Sequence, residues 1–234
     1  MVALASIGLA ATALPAAAAD PTPDPVPAFD FADCPAIPAG ADPAQWRCEV
    51  LMSTGSIKFG NLAEQPTGAM RLTFAEGQLD GEFAQVFGAL RAEPARVPGG
   101  LLGLPGTERN PLLRMDMRIE YAGFADFLSD GDRMGEQHLK IRVLSGLLPG
   151  SCTIGADDDP IEFKPIRTSG PDTISTDPPV LRFTIEDKEF AVPTARGCGG
   201  LDHFVNRRFG LPASSGANTM TLTTLVGLKS YTQL

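Results

Sequence analysis

Apolar side chains recur at every second residue along much of this chain, and Gly and Pro punctuate the runs. AMRLTFAEG sets Met70, Leu72 and Phe74 on one side of an extended backbone, and HLKIRVLSG does the same with Leu139, Ile141 and Val143. In RMDMRIEYAG, Met115, Met117, Ile119 and Tyr121 alternate with Asp116, Arg118 and Glu120. LRFTIEDKEFAV carries the pattern through Leu181, Phe183 and Ile185 and then turns at Glu186-Asp187-Lys188; TMTLTTLVGLKSY closes the chain with Met220 and Leu222 among threonines. Strand side chains point alternately to the two faces, so a repeated period of two predicts antiparallel sheet with one buried and one wetter face. The expected class is all-β, as an antiparallel β-sandwich or partly closed barrel.

One segment departs from that period. LDHFVNRRF, 201–209, brings Leu201, Phe204, Val205 and Arg208 to one side at helical spacing, and Gly210-Leu211-Pro212 follows as a stop, which predicts one short helix. FADFLSDGDRM reads as one further helical turn. RVPGGLLGLPGTERNP and KPIRTSGPDTISTDPP, rich in Gly and Pro, read as surface excursions.

The N-terminal apolar run ends in Ala17-Ala18-Ala19, a small-residue pattern suited to signal-peptide cleavage. Residues 1–19 are therefore expected to be removed, leaving Asp20 first. No Lys or Arg precedes the run, and a retained membrane anchor is the alternative, although Thr and Pro interrupt the segment. Residues 20–33 mix Pro with acids and read as a flexible leader. Residues 34–234 read as a single β domain, opening with a lasso, CPAIPAGADPAQWRC, whose Trp46 covers the bridge or anchors it to the core. A chain of this size can bury a substantial core. Its 28 acidic and 19 basic residues give a formal charge of −9, which argues against nucleic acid as a partner.

Four cysteines in an exported chain allow two bridges, in three possible pairings. The expected set is Cys34–Cys48 and Cys152–Cys198, which asks least of the topology. Each bridge would stabilise the fold by about 2–4 kcal/mol.

Residues 194–220, TARGCGGLDHFVNRRFGLPASSGANTM, hold the densest cluster of reactive residue types. Zinc needs about four ligands. With Cys198 in a bridge, Asp202 and His203 remain, and His138 is the only other imidazole. A structural joint is the better reading: Gly197 and Gly199 permit a tight turn at Cys198, while Asn206 and Asn218 bond nearby backbone. A hydrolase needs an activated nucleophile, a base and an oxyanion hole. The serines of VLSGLL and ASSGAN do not fit G-x-S-x-G, and no carboxylate pair is singled out for glycoside hydrolysis. Asp157, Asp158 and Asp159 are calcium candidates, because adjacent carboxylates repel and a hard cation would relieve that repulsion. Asp130 and Asp132 form a second such turn; solvated turns are the plainer reading of both. No nucleotide or haem motif is present, and no cofactor is expected.

The order SCTIG, acidic turn, GCGG, VNRRFGLPASSGANT resembles an uncharacterised family of secreted actinobacterial proteins with the pattern C-x-IG, G-C-G, VN-x-x-x-GLP. The matching positions are Cys152, Ile154 and Gly155, then Gly197 to Gly199, then Val205, Asn206 and Gly210 to Pro212, then Asn218 and Thr219. The likeness runs from Cys34 to Leu234 and is densest over 138–224. It implies export, two bridges and the extent of the domain, and it brings no activity.

These features together predict a secreted or loosely cell-envelope-associated protein, non-enzymatic, with a structural or binding role. Its partner would be an envelope lipid, a polysaccharide or another exported protein, with no stable membrane span after processing. One alternative is an extracellular hydrolase with His138 or His203 in a cleft. The other is a carrier of an envelope lipid, which requires a continuous cavity among Met115, Met117, Phe87 and Leu90.

Overall fold

A computed structural model describes residues 26–234; the expected signal peptide, its cleavage site and the start of the leader lie outside the described residues. The first strands are β1 (Trp46–Phe59), β2 (Leu62–Pro66), β3 (Met70–Leu79), β4 (Glu82–Ala92) and β5 (Ala95–Arg96). A long hairpin follows, β6 (Met115–Asp130) and β7 (Arg133–Ser145), then the short β8 (Thr153–Ile154) and β9 (Ile161–Phe163). A second hairpin pairs β10 (Ile166–Thr176) with β11 (Pro179–Asp187). After β12 (Ala195–Arg196) come the helix α1 (Asp202–Phe209) and the last strand, β13 (Thr219–Ser230).

The strands form one antiparallel sheet in the order β12-β8-β7-β10-β11-β13-β1-β3-β4, with β6 on the other side of β7. The sheet curls until β4 and β6 lie side by side, without closing into a true barrel. Near the chain's turn into β6, Ala95 and Arg96 make a short ladder with Met117 and Asp116. Beyond that point side chains span the seam. The rings of Phe87 and Tyr121 stack at 3.9 Å and those of Phe74 and Phe127 at 4.1 Å. The Phe127 N–H donates to Gln85 Oε1 at 2.9 Å.

The concave side is the core. Glu49, Leu51 and Ser53 of β1 face inward between Leu228, Val226 and Thr224 of β13 and Phe74, Leu72 and Met70 of β3. One end of the curl is plugged: Ile57, Phe59, Met115, Met117 and Val143 are buried with Val205 and Phe209 of α1. Phe59 and Phe209 have ring centroids 5.7 Å apart. The cystine Cys152–Cys198 lies in the same cluster. Its partner Cys34–Cys48 ties the N-terminal lasso to the convex side of β1. Both bridges are as expected.

That convex side explains why β1 carries apolar residues on both faces. Trp46, Cys48 and Val50 are buried beneath residues 26–45. Trp46 anchors the start of the strand, its indole N–H donating to Gln78 O at 2.9 Å. The ring of Phe29 lies against Gly227, where a Cβ would stand 2.5 Å from a ring carbon. The described part of the leader is fastened down, not loose: Asp30 and Asp33 pair with Arg71 at 2.6 and 2.9 Å, and Asp33 also pairs with Arg91 at 2.5 Å.

The structure corrects several local expectations. FADFLSDGDRM is not helical; it forms the end of β6 and the turn into β7, because pairing with β7 overrides its weak local preference. KPIRTSGPDTISTDPP is mostly strand β10, and its Gly170-Pro171 falls where the register with β11 shifts, a place a strand tolerates Pro. RVPGGLLGLPGTERNP is a turn-rich loop, but Val97 and Leu101 within it are buried. The helix buries Val205 and Phe209, four residues apart, and leaves Leu201 and Phe204 exposed.

Candidate ligand pocket at the open end

The end of the curl opposite α1 is open. There the inward residues of β1, β3, β6, β7, β11 and β13 surround a pocket of about 310 Å³, walled by Leu51, Phe74, Phe127, Met134, Phe183 and Val226. Phe83 and Leu128 stand at its rim, each roughly half exposed. Beneath it, and sharing Leu51, Gln137 and Ile185 as a floor, is a smaller void of about 40 Å³ bordered by Leu72, Leu90 and Ile119. The plugged core begins below that level.

Three charged side chains enter this apolar mouth. The β1–β3 register sets Arg47 opposite Glu76 and Glu49 opposite Phe74, which brings both carboxyls to one wall. Arg47 Nε donates to Glu49 Oε1 at 2.8 Å, and its Nη2 donates to Glu76 Oε1. Gln85 Nε2 reaches Glu76 Oε2 at 3.5 Å. The two carboxyls are 13% exposed, whereas Arg47 is 56% exposed. Burial, joined by the charge of Glu76, outweighs the attraction of Arg47 and pushes the Glu49 carboxyl up to about 7. A buried group with a perturbed pKa in an apolar concavity is the usual physical mark of a binding or reaction site.

A larger cleft, about 570 Å³, lies on the outside, between β9–β10 and the connection after β11. Its charges are already taken up within the chain. Lys164 pairs with Glu162 at 2.6 Å and Glu136 at 3.5 Å, and Lys188 with Glu186 at 2.8 Å. Asp187 accepts the N–H groups of Lys164 and Glu189 at 2.6 and 2.7 Å. Size alone favours this cleft, but Lys164, Glu162 and Lys188 in it are half exposed or more, whereas the Glu49 and Glu76 carboxyls are largely buried, so the open end is the stronger site.

The residues singled out in the sequence lie elsewhere. Asp157 pairs with Lys140 at 2.5 Å, Asp158 with Arg196 at 3.1 Å, and Asp159 with Arg196 at 2.6 Å. Their mutual repulsion is thus relieved by cations of β7 and β12. Among the described residues, no group of three or more His, Cys, Asp and Glu side chains is arranged to hold a metal ion. His138 meets Glu136 at 3.2 Å and Phe124 at a centroid distance of 4.8 Å, and His203 is exposed on α1; among the described residues neither bonds a serine.

The corner around Cys198 is a joint, as expected. Gly197 and Gly199 take φ values of 69° and 67°, a backbone that L side chains avoid, and this turns the chain around the cystine. Asn206 Oδ1 accepts from Ala195 N at 2.6 Å, pinning α1 to β12. Asn218 is fully buried. Its Oδ1 accepts from Gly60 N at 3.1 Å, and its Nδ2 donates to Phe190 O at 2.7 Å and Ser214 O at 2.9 Å.

Sequence reasoning did not find Glu49 and Glu76. The signal available was local and faint: an Arg-x-Glu pair on alternate positions of WRCEVL, set among residues that alternate to the core. The four residues expected to line a carrier's cavity do not lie together around one. Met115 and Met117 belong to the plugged core, Phe87 closes the seam, and Leu90 borders the small void of about 40 Å³. No protein-family model, curated protein or solved structure matches this chain.

Proposed function

We propose that the chain is an exported, non-enzymatic binding module that takes one small, largely apolar ligand in the open end of its curled sheet. The observation that carries this is the concavity of about 310 Å³, apolar on most sides and furnished on one wall with the Glu49–Glu76–Arg47 cluster. Apolar walls supply affinity, and a few placed polar groups fix orientation. Export is supported by the N-terminal Ala-rich run and by two cystines, which persist in oxidising compartments. Among the described residues no helix is long and apolar enough to cross a membrane.

Two features favour binding over hydrolysis. Retaining and inverting glycosidases keep their carboxyls about 5 Å or more apart to admit a sugar or a water. Glu49 and Glu76 share one cation, Arg47, which hydrogen-bonds both carboxyls and ties them to the protein. Among the described residues neither histidine bonds a serine: His138 meets Glu136, and His203 is exposed on α1. The size of the pocket favours a short apolar moiety over a whole membrane lipid.

Titration with the neutral fluorophore N-phenyl-1-naphthylamine tests this reading. One molecule per chain should bind, with enhanced emission. Leu51→Trp, which fills the floor, should abolish binding; Ser129→Trp, which plugs the rim from an exposed position, serves where the first variant is unstable. Absence of saturable binding, or binding unchanged in a folded plugged variant, would refute the site.

A further inference from the structure

The plugged end of the molecule has an outer surface quite unlike the rest. Among the described residues, twelve large apolar side chains are exposed, and six of them gather here: Leu102, Leu104, Leu112, Leu147, Leu201 and Phe204, from 39 to 60% exposed. They come from three neighbouring segments, the loop before β6, the turn after β7 and helix α1. The segments are laced together. Leu101 N–H donates to Leu113 O at 2.8 Å, and Gly146 abuts Pro111 and Leu112. Arg208 of α1 donates to Pro98 O at 3.1 Å and Gly100 O at 3.4 Å. Single exposed leucines are ordinary on a protein surface, but a cluster on adjoining loops marks a contact surface.

Charge is sorted in the same place. The acids of these segments turn inward to backbone: Glu108 accepts from Gly99 N at 3.0 Å and Gly106 N at 2.9 Å, and Asp202 accepts from Cys198 N at 3.1 Å. The bases point out. Arg109 and Arg207 are exposed and make no ion pair among the described residues, and Arg114, also exposed, reaches Asp116 only at 3.6 Å. In a chain whose formal charge is −9, this end is locally cationic and apolar at once. A protein partner would be matched by either property. A bilayer of anionic lipid is matched by both, since its headgroups attract the arginines while leucine tips enter the acyl boundary. The acidic remainder of the molecule is repelled by such a surface, so the field also sets the orientation.

We infer that the plugged end is a docking surface for an anionic membrane leaflet, holding the molecule with its ligand mouth turned away from the lipid. Co-sedimentation of the full chain with vesicles of phosphatidylglycerol and phosphatidylcholine, compared with phosphatidylcholine alone, tests it. Binding should be confined to the anionic vesicles and weaken with salt. Leu104→Ser with Leu112→Ser, or Arg109→Glu with Arg207→Glu, should each reduce partitioning at least tenfold, whereas Phe124→Ser on the far hairpin should not. All five positions are exposed, so the fold is retained. The N-terminal apolar run is the same in every variant; binding that survives both double substitutions would belong to that run and would overturn the inference. So would failure to bind anionic vesicles. A lipid-free dimer in sedimentation velocity that the leucine variants dissolve would reassign the patch to self-association and overturn it too.

Discussion

The two ends of the curled sheet are made from the same strands and are built on opposite principles. At the plugged end backbone pairing continues across β5 and β6, Phe209 fills the axis against Phe59, and the amides of half-buried Asn206 and buried Asn218 are bonded to backbone. At the open end the seam is held by stacked rings and one side-chain acceptor, a concavity of about 310 Å³ lies between the side chains, and burial pushes the Glu49 carboxyl up to about 7. One end is filled; the other keeps space beside two largely buried carboxyls, the arrangement a small-ligand site uses. The contrast is between a filled region and a proposed recognition region in one core.

The largest test of the contrast removes the plug. Phe209→Ala deletes a fully buried ring and should cost about 3–5 kcal/mol, read from urea denaturation. Phe83→Ala at the half-exposed rim should cost well under half as much. Equal costs would mean that the two ends are packed alike.

Next comes the bridges. Cys152–Cys198 spans 46 residues and Cys34–Cys48 spans 14. On chain-entropy grounds, loss of the longer one through paired Cys→Ser changes should cost about 1 kcal/mol more than loss of the shorter. Thermal or urea unfolding of the two double variants measures the difference, and a reversed order would place the critical stitch on the lasso.

pH acts at the open end. Because the Glu49 carboxyl is raised in the folded state, its contribution is fully present below its unfolded value, near 4.5, and is lost as pH rises towards about 7. Glu49→Gln should remove that decline. The variant should match the wild type near pH 4 and exceed it by about 1–2 kcal/mol at pH 8. Parallel curves for both proteins between pH 4 and 8 would show that Glu49 does not titrate in this window.

Half of this architecture could be read from the chain and half could not, for a physical reason. β6, β7, β11 and β13 alternate cleanly because one face of each is wet, and both cystines and the helix with its Gly210 stop were accessible for similarly local reasons. β1 was hidden because residues 26–45 cover its convex side, so Trp46, Cys48 and Val50 are as buried as its inward residues and the period of two is lost. β4 was hidden by the register shift opposite Thr73 and Phe74. β10 was hidden by Gly170-Pro171. The joint residues Asn206 and Asn218 could be identified because short polar side chains bond nearby backbone wherever the chain turns. The open-end site could not, since Glu49 meets Glu76 only through the β1–β3 register.

The most direct measurement is methyl NMR of the Leu, Ile, Val and Met side chains during titration with N-phenyl-1-naphthylamine. Resonances of Leu51, Leu128, Met134, Ile185 and Val226, which line the open end, should shift and saturate together, while Met115, Met117 and Val143 in the plugged core stay in place. Shifts concentrated on Met115 and Met117, or spread evenly through the core, would contradict a molecule with one filled end and one receptive end.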